Sequence, residues 1–331
     1  MSPLVKEPRR GGRRRLRIGL LNNLGDSALA TAEAQFEGLL AEAGTEFSVE
    51  LRLFALPAIE RGERAREQMR GRYADAGSLA GAGLDGLIVT GAEPRTASLE
   101  DEPYWDDLRR VVDWTEAARV PTVWSCLAAH AAVLHQAGVR RRPLAEKLSG
   151  VFPCAPASDH PLAEGLSHAF WVPHSRWNDL AEADLVSAGY EILSRSPTAG
   201  VDAFLGPSES ASLYFQGHPE YEADSLLREY GRDLGRFFRN GGRLPAMPAG
   251  YLDAESEQAL ERLTAQARLR SDPALLPAFL EILDGSRPVR RWRPAAVAVY
   301  RAWLGQAADA GADEAPLGGP RPKSLRATRA L

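Results

Sequence analysis

Short apolar runs alternate with helically spaced apolar residues along the first half of the chain. The runs end at polar or glycine residues and are apolar almost throughout, which is typical of strands buried on both faces. The predicted strands lie at 16–22, 47–54, 84–90 and 120–125, and the predicted helices lie at 31–43, 104–118 and 127–136. This alternation predicts an α/β fold with a doubly wound, mostly parallel sheet and helices on both faces.

The second half of the chain is less regular. Short apolar runs predict further strands, several of them antiparallel at a sheet edge, at 170–172, 190–193, 203–205 and 212–216. An apolar stripe predicts a helix over 223–239, and further helical segments follow at 254–285 and 294–304. We therefore expect a single α/β domain over 15–305, in which 254–305 form a helical C-terminal extension. A basic tail at 1–14 and a proline- and glycine-rich tail at 306–331 are expected to be disordered.

Composition narrows the class of protein. The 331 residues are 44% hydrophobic and 25% charged, with a net charge of −4, as in an ordinary globular protein. Arginines cluster before residue 18. This cluster is compatible with a solvated, disordered tail, and also with an arm that binds nucleic acid or a membrane surface. No apolar run approaches the ~20 residues that span a bilayer. Only two cysteines occur, which excludes a disulfide scaffold and favours a reducing, cytoplasmic location.

Cys126 stands between a predicted strand and a predicted helix. Such a turn lifts a side chain to the carboxyl end of the sheet, where open α/β folds place their sites. The helix N-terminus there stabilises a thiolate, and the amide of Leu127 is available to an oxyanion. The stretch alone is equally compatible with a small buried cysteine, because most lone cysteines are packed in cores.

A second group of residues favours a catalytic role for Cys126. His218 and Glu220 follow an apolar strand, and Gly217 and Pro219 fix the backbone around them. A thiol, an imidazole and a carboxylate are the parts of a nucleophilic triad, here with Cys126 as the nucleophile. His130 lies one turn beyond the cysteine and is expected to point beside it. Cys154 has no helix start and is expected to be structural, and the cysteines and histidines show no metal-ligand spacing.

Six ordered motifs resemble those of the MetA-type homoserine O-acyltransferases, also called homoserine O-succinyltransferases. The motifs lie at 86–92, 104–105, around 126, at 146–151, at 173–176 and at 217–221. The resemblance covers about residues 15–240, with a weaker similarity at 292–304. It implies a class I glutamine-amidotransferase-like fold and a role in bacterial methionine synthesis.

The resemblance also implies a ping-pong reaction. The nucleophile Cys126 takes an acyl group from acyl-CoA, His218 is the base and Glu220 orients it. Leu127 and an amide at Ala92 are the implied oxyanion donors. Substrate-contacting positions of the family match Lys147, Ser175 and Arg232. The implied partners are acyl-CoA and L-homoserine, with no nucleic acid, no membrane, no metal and no further cofactor, and a homodimer is expected.

Two departures bear on specificity. Residues 22–26 replace a Met-Pro pair and a lysine of the family, so serine stays open as an alternative acceptor. Arg95 stands where succinyl-type members have glycine and acetyl-type members have glutamate. Its charge favours the distal carboxylate of a succinyl group, although it suits a CoA phosphate equally. The rival activities are a homoserine O-acetyltransferase, a glutamine amidotransferase-like hydrolase and an inactive amino-acid-binding homologue.

Overall fold

The computed structural model describes residues 13–208 and 210–313, with side chains up to residue 310. The strands are β1 (Arg14–Leu21), β2 (Phe47–Ala55), β3 (Tyr73–Asp75), β4 (Gly86–Val89), β5 (Thr122–Ser125), β6 (Arg142–Pro156), β7 (Phe170–Asp179), β8 (Glu191–Ser196), β9 (Gly200–Leu205) and β10 (Leu213–Phe215). The α-helices are α1 (Leu29–Ala43), α2 (Glu63–Met69), α3 (Trp105–Ala117), α4 (Leu127–Ala137), α5 (Glu182–Ser187), α6 (Ser225–Asn240), α7 (Ala254–Leu269), α8 (Leu276–Gly285) and α9 (Arg293–Asp313). All the elements predicted in the first half are present.

The strands form one sheet in the order β3-β2-β1-β4-β5-β10-β9-β8-β6-β7. From β3 to β10 every neighbouring pair is parallel, and the strands at its centre are buried. Parallel neighbours need crossover connections, and helices supply most of them. The carboxyl ends of β4, β5 and β10 therefore meet at one edge of the sheet, which confirms the predicted α/β architecture.

From β10 to β7 the neighbouring strands are antiparallel, as the short apolar runs predicted. The long strand β6 is absent from the sequence prediction. Pro143, Pro153 and Pro156 interrupt its pattern, and a register shift between Pro143 and Leu148 disturbs its pairing with β7. The short elements α2, β3 and α5 were missed as well, because none is long enough to show a period.

Helices cover both faces of the sheet. On one face, α3 and α4 pack with Trp124 and Val89 in one apolar cluster. On the other face, α1 and α9 pack with Ile88 and Val123 in a second cluster that contains Trp303. The α6, α7 and α8 helices share a third cluster beside the sheet. None of the helices in the described ranges is long and apolar enough to cross a membrane.

The predicted extension at 254–305 divides into two parts. Helices α7 and α8, separated by Pro273, pack on α6, whereas α9 returns to the sheet and pairs Arg293 with Glu42 of α1 at 2.9 Å. Both predicted tail boundaries are corrected: β1 begins at Arg14 because it pairs with Phe47, and α9 continues past 305 because Ala307 and Ala308 are buried. Residues 1–12 and 314–331 of the predicted tails lie outside the described residues.

Candidate active site

Cys126 occupies the turn between β5 and α4, as predicted. Its backbone has φ 52° and ψ −112°, a conformation that residues with a Cβ rarely adopt. The turn is held on both sides: the Cys126 amide donates to the carbonyl of Phe215 at 2.7 Å, and the Cys126 carbonyl accepts from the amide of His130 at 3.2 Å. The strained turn presents the thiol to a cleft of about 1010 Å³.

A close backbone approach fixes the surroundings of the thiol. A Cβ added to Gly91, just beyond β4, would lie 3.0 Å from the Leu127 amide nitrogen and 2.8 Å from the Leu127 Cβ. Only glycine permits this contact between the loop after β4 and the first turn of α4. As a result Leu127 and Ala92, the two residues predicted as oxyanion donors, line the cleft together with Cys126.

His218 and Glu220 lie on the segment that follows β10, and β10 is the neighbour of β5 in the sheet. The His218 amide donates to the Pro173 carbonyl at 2.8 Å, and its Nδ1 lies 2.9 Å from Glu220 Oε1. The Glu220 carboxylate accepts a hydrogen bond from Nδ1–H, which leaves Nε2 of the ring available to Cys126, whose charge also acts on His218. The three predicted triad members are thus brought together.

Electrostatics favour the charged imidazole. Burial by itself lowers the pKa of His218, but the negative charges of Cys126 and Glu220 and hydrogen bonds from the ring to both outweigh it. The pKa of His218 is therefore raised well above its ordinary value. The site therefore places a charged imidazolium beside the sulfur of Cys126 and against the Glu220 carboxylate, an arrangement that suits an activated cysteine nucleophile.

The segment that carries the catalytic residues, 217–221, is packed against Trp292 and Asp202. The Tyr221 ring stacks on the His218 ring with centroids 4.3 Å apart, and the Trp292 indole donates to the Tyr221 carbonyl at 2.9 Å. A Cβ added to Gly217 would lie 2.5 Å from Asp202 Oδ1, so the chain passes tightly over the buried end of β9. The imidazole position is consequently set by packing on several sides.

A charged group that lines the same cleft, and that Tyr221 connects to His218, contains two predicted substrate residues. Glu229 of α6 accepts hydrogen bonds from Ser175 and Tyr221, and Lys147 lies 3.2 Å from the same carboxylate and 2.7 Å from Asp233. Burial raises the pKa of Glu229, but the Lys147 charge and the two hydroxyl donors more than offset this, so its pKa is lowered.

Glu229 and Asp233 were missed by sequence reasoning. Their spacing of one helical turn, along the border of the apolar stripe of α6, is the signal that could have marked them. The third predicted substrate residue, Arg232, also lines the cleft, half-exposed, with its Nε 3.7 Å from Asp233 Oδ1.

Arg95 is not brought together with the triad. Its guanidinium lies 3.3 Å from Glu60 at the surface, 56% exposed, and it is not among the described residues that line the cleft. Its backbone amide donates to Glu102 at 2.6 Å. An arginine that sequence reasoning did not single out, Arg141, lines the cleft instead.

His130 and Cys154, which the sequence predicted to take no part in catalysis, are buried away from the triad side chains. His130 is buried, which lowers its pKa to about 3, and its Nε2 lies 3.0 Å from Gln216 Oε1. The imidazole is therefore neutral and directed at Gln216. Cys154 is buried in β6, and burial raises the pKa of its thiol. Cys126 is the more accessible of the two thiols.

Comparison with known proteins identifies relatives along most of the chain. The family model described as homoserine O-succinyltransferase matches residues 6–310. The chain is similar to the homoserine O-succinyltransferases of Methylorubrum extorquens (47% identity, covering 89% of this chain and 88% of the relative), Rhodopseudomonas palustris (46%, 87% and 87%) and Bradyrhizobium japonicum (43%, 90% and 94%).

Solved structures with a similar chain path include a glutamine amidotransferase from Thermotoga maritima, with 13% identity, 90% of this chain and 99% of that chain covered, and a TM-score of 0.47. Another is a glutamine amidotransferase from Methylobacillus flagellatus, with 16% identity, 89% and 96% covered, and a TM-score of 0.47.

Proposed function

Because this chain belongs to the homoserine O-succinyltransferase family, we propose that it transfers a succinyl group from succinyl-CoA to the hydroxyl of L-homoserine through a thioester on Cys126. The observation that carries the proposal is the assembly at the mouth of the cleft. A strained cysteine, a buried imidazolium and an orienting carboxylate converge there beside two loops that present backbone amides.

In the first half-reaction the Cys126 thiolate attacks the thioester carbonyl of succinyl-CoA. The negative charge that develops on the carbonyl oxygen is stabilised by the amides of Leu127 and Ala92. The tetrahedral intermediate collapses with cleavage of the bond between carbon and the CoA sulfur, and His218 Nε2 supplies the proton that the departing CoA thiolate takes. The enzyme then carries a succinyl group as a thioester.

In the second half-reaction the neutral His218 accepts the proton of the homoserine hydroxyl. The oxygen attacks the thioester carbonyl, an oxyanion forms at the same two amides, and the bond to Cys126 breaks. The thiolate is regenerated beside an imidazolium held by Glu220, so the ion pair of the resting site is restored. O-succinylhomoserine is released.

The charged group around Glu229 suits the acceptor amino acid. Arg232 offers two parallel N–H donors to the α-carboxylate, the geometry that makes arginine a strong carboxylate ligand. Ser175 and Lys147 are drawn together by Glu229, whose carboxylate is an acceptor for the α-ammonium group. These residues therefore fix the amino acid next to the acyl group on Cys126.

The decisive experiment incubates the purified protein separately with succinyl-CoA, acetyl-CoA and glutamine and maps adducts by mass spectrometry. We expect a succinyl adduct on Cys126 that disappears when homoserine, but not serine, is added. Cys126→Ser removes the adduct, whereas the matched Cys154→Ser keeps it because that thiol is buried. An acetyl adduct alone would identify an acetyltransferase. Glutamine hydrolysis without an adduct from either acyl-CoA would refute the acyltransferase proposal.

A further inference from the structure

One arginine in the cleft has an unused donor beside the nucleophile. Arg141 stands immediately before β6 and lines the same cleft as Cys126. Its Nη2 donates to the Ala97 carbonyl at 3.2 Å, which ties it to the loop after β4. Its Nη1 is buried and has no hydrogen-bond partner within the described part of the chain. A buried donor left unpaired is costly, so such a group at the wall of a cleft points to a ligand.

The groups around Arg141 do not complete its hydrogen bonding. Its guanidinium lies within electrostatic range of Glu102, Tyr104 and Cys126. Glu102 Oε1 is engaged by the amides of Arg95 and Thr96 at 2.6 and 2.8 Å, whereas Glu102 Oε2 is buried and makes no hydrogen bond to Arg141 or to any other described residue.

The Tyr104 hydroxyl is also buried, and among the described residues it has no hydrogen-bond partner. Tyr104 is not among the described residues that line the cleft, so the guanidinium of Arg141 is the unused donor that a ligand in the cleft can reach. A carboxylate is the acceptor that suits a guanidinium best.

We propose that Arg141 binds the distal carboxylate of the succinyl group while that group is attached to Cys126. The inference rests on the proposed acyl transfer and names the residue that selects the acyl donor. The distal carboxylate carbon is three C–C bonds from the thioester carbonyl, which is about 4 Å when extended. Its receptor must lie close to Cys126, and Arg141 satisfies this condition whereas Arg95, paired with Glu60 at the surface, does not.

The test compares two donors in three variants. Succinyl-CoA and butyryl-CoA have acyl chains of equal length, and only the first ends in a carboxylate. We expect Arg141→Gln to slow acylation of Cys126 by succinyl-CoA roughly 10- to 150-fold, the usual effect of losing a hydrogen bond to a charged group, and to change the butyryl-CoA rate little. Arg141→Lys should retain part of the preference.

The matched control is Arg142→Gln, because Arg142 is adjacent but exposed and paired with Asp184 at 2.6 Å. This variant should acylate with both donors as the wild type does. As a readout that needs no acyl transfer, free succinate should protect Cys126 from alkylation better than butyrate does, and Arg141→Gln should abolish the difference.

Three results overturn the proposal. An equal loss with both donors means that Arg141 only supports its loop or the thiolate, and no loss with either donor means that the carboxylate binds elsewhere. A selective effect of Arg95→Gln in place of Arg141→Gln would return specificity to Arg95. If the wild type forms no acyl adduct with any donor, the proposed acyl transfer itself fails. The wild-type measurement thus distinguishes this failure from a failure of the Arg141 proposal alone.

Discussion

The strained backbone at Cys126 predicts that the nucleophile lowers the stability of its own protein. A residue with a Cβ at φ 52° and ψ −112° carries about 1–3 kcal/mol of strain. Cys126→Ala keeps this strain, because alanine also has a Cβ, whereas Cys126→Gly relieves it. At an ordinary position glycine is less stable than alanine by about 0.5–1 kcal/mol. The difference between the two effects makes the glycine variant more stable than the alanine variant by roughly 0.5–2 kcal/mol.

Urea unfolding followed by tryptophan fluorescence measures this difference, and both variants lack the thiol, so activity does not enter the comparison. Ala41→Gly, on the exposed face of α1, is the control at an ordinary helical position and should lower the free energy of unfolding by about 1 kcal/mol. If Cys126→Gly is less stable than Cys126→Ala by the amount seen at Ala41, the turn is unstrained and the reasoning is wrong.

Three further predictions concern the surroundings of the thiol. Glu220→Gln removes a charge that raises the pKa of His218. Because His218 must be neutral to accept the homoserine proton, the rising limb of the pH profile of kcat/KM for homoserine should move to lower pH while its plateau falls roughly 10²-fold or more; an unmoved limb would contradict the assignment. Gly217→Ala places a methyl group against Asp202 and should cost about 1–3 kcal/mol or more in urea unfolding, whereas Gly305→Ala, with open space around its Cα in α9, should be neutral or stabilising. Burial raises the pKa of Asp202 from 3.8 to about 6, so the folded state favours its protonated form. The wild type should therefore lose up to about 3 kcal/mol of stability relative to Asp202→Asn between pH 4 and pH 6, a loss that persists at higher pH and is absent below pH 4; parallel stability curves for the two proteins would refute this.

The parts of the site that depend on local sequence were predictable. Cys126 follows a strand and precedes a helix, and the spacing of His218 and Glu220 places both side chains on one short segment. Turn position and residue type are local signals, and they sufficed for the triad.

The parts that depend on distant contacts were not predictable. Glu229 is joined to Lys147 across 82 residues of sequence, and only the packing of α6 beside β6 brings them together. Arg141 sits among neighbouring arginines, so charge alone did not distinguish it from Arg140 and Arg142. The family resemblance favoured Arg95, although its loop turns that side chain to the surface.

The return of α9 to the first strand has a consequence for synthesis on the ribosome. Trp303 and Leu304 are among the residues that cover the apolar face of β1 and α1, yet they are made more than half a chain later. At translation rates of about 5–20 residues per second, the roughly 260 residues between the end of α1 and Trp303 take about 13–52 s to make, and that face stays open meanwhile. During this interval Ile18 and Phe36 are accessible to chaperones and to other unfinished chains. Truncations or pauses between residues 221 and 293 should therefore yield aggregated protein, even though every residue of the triad has already been made.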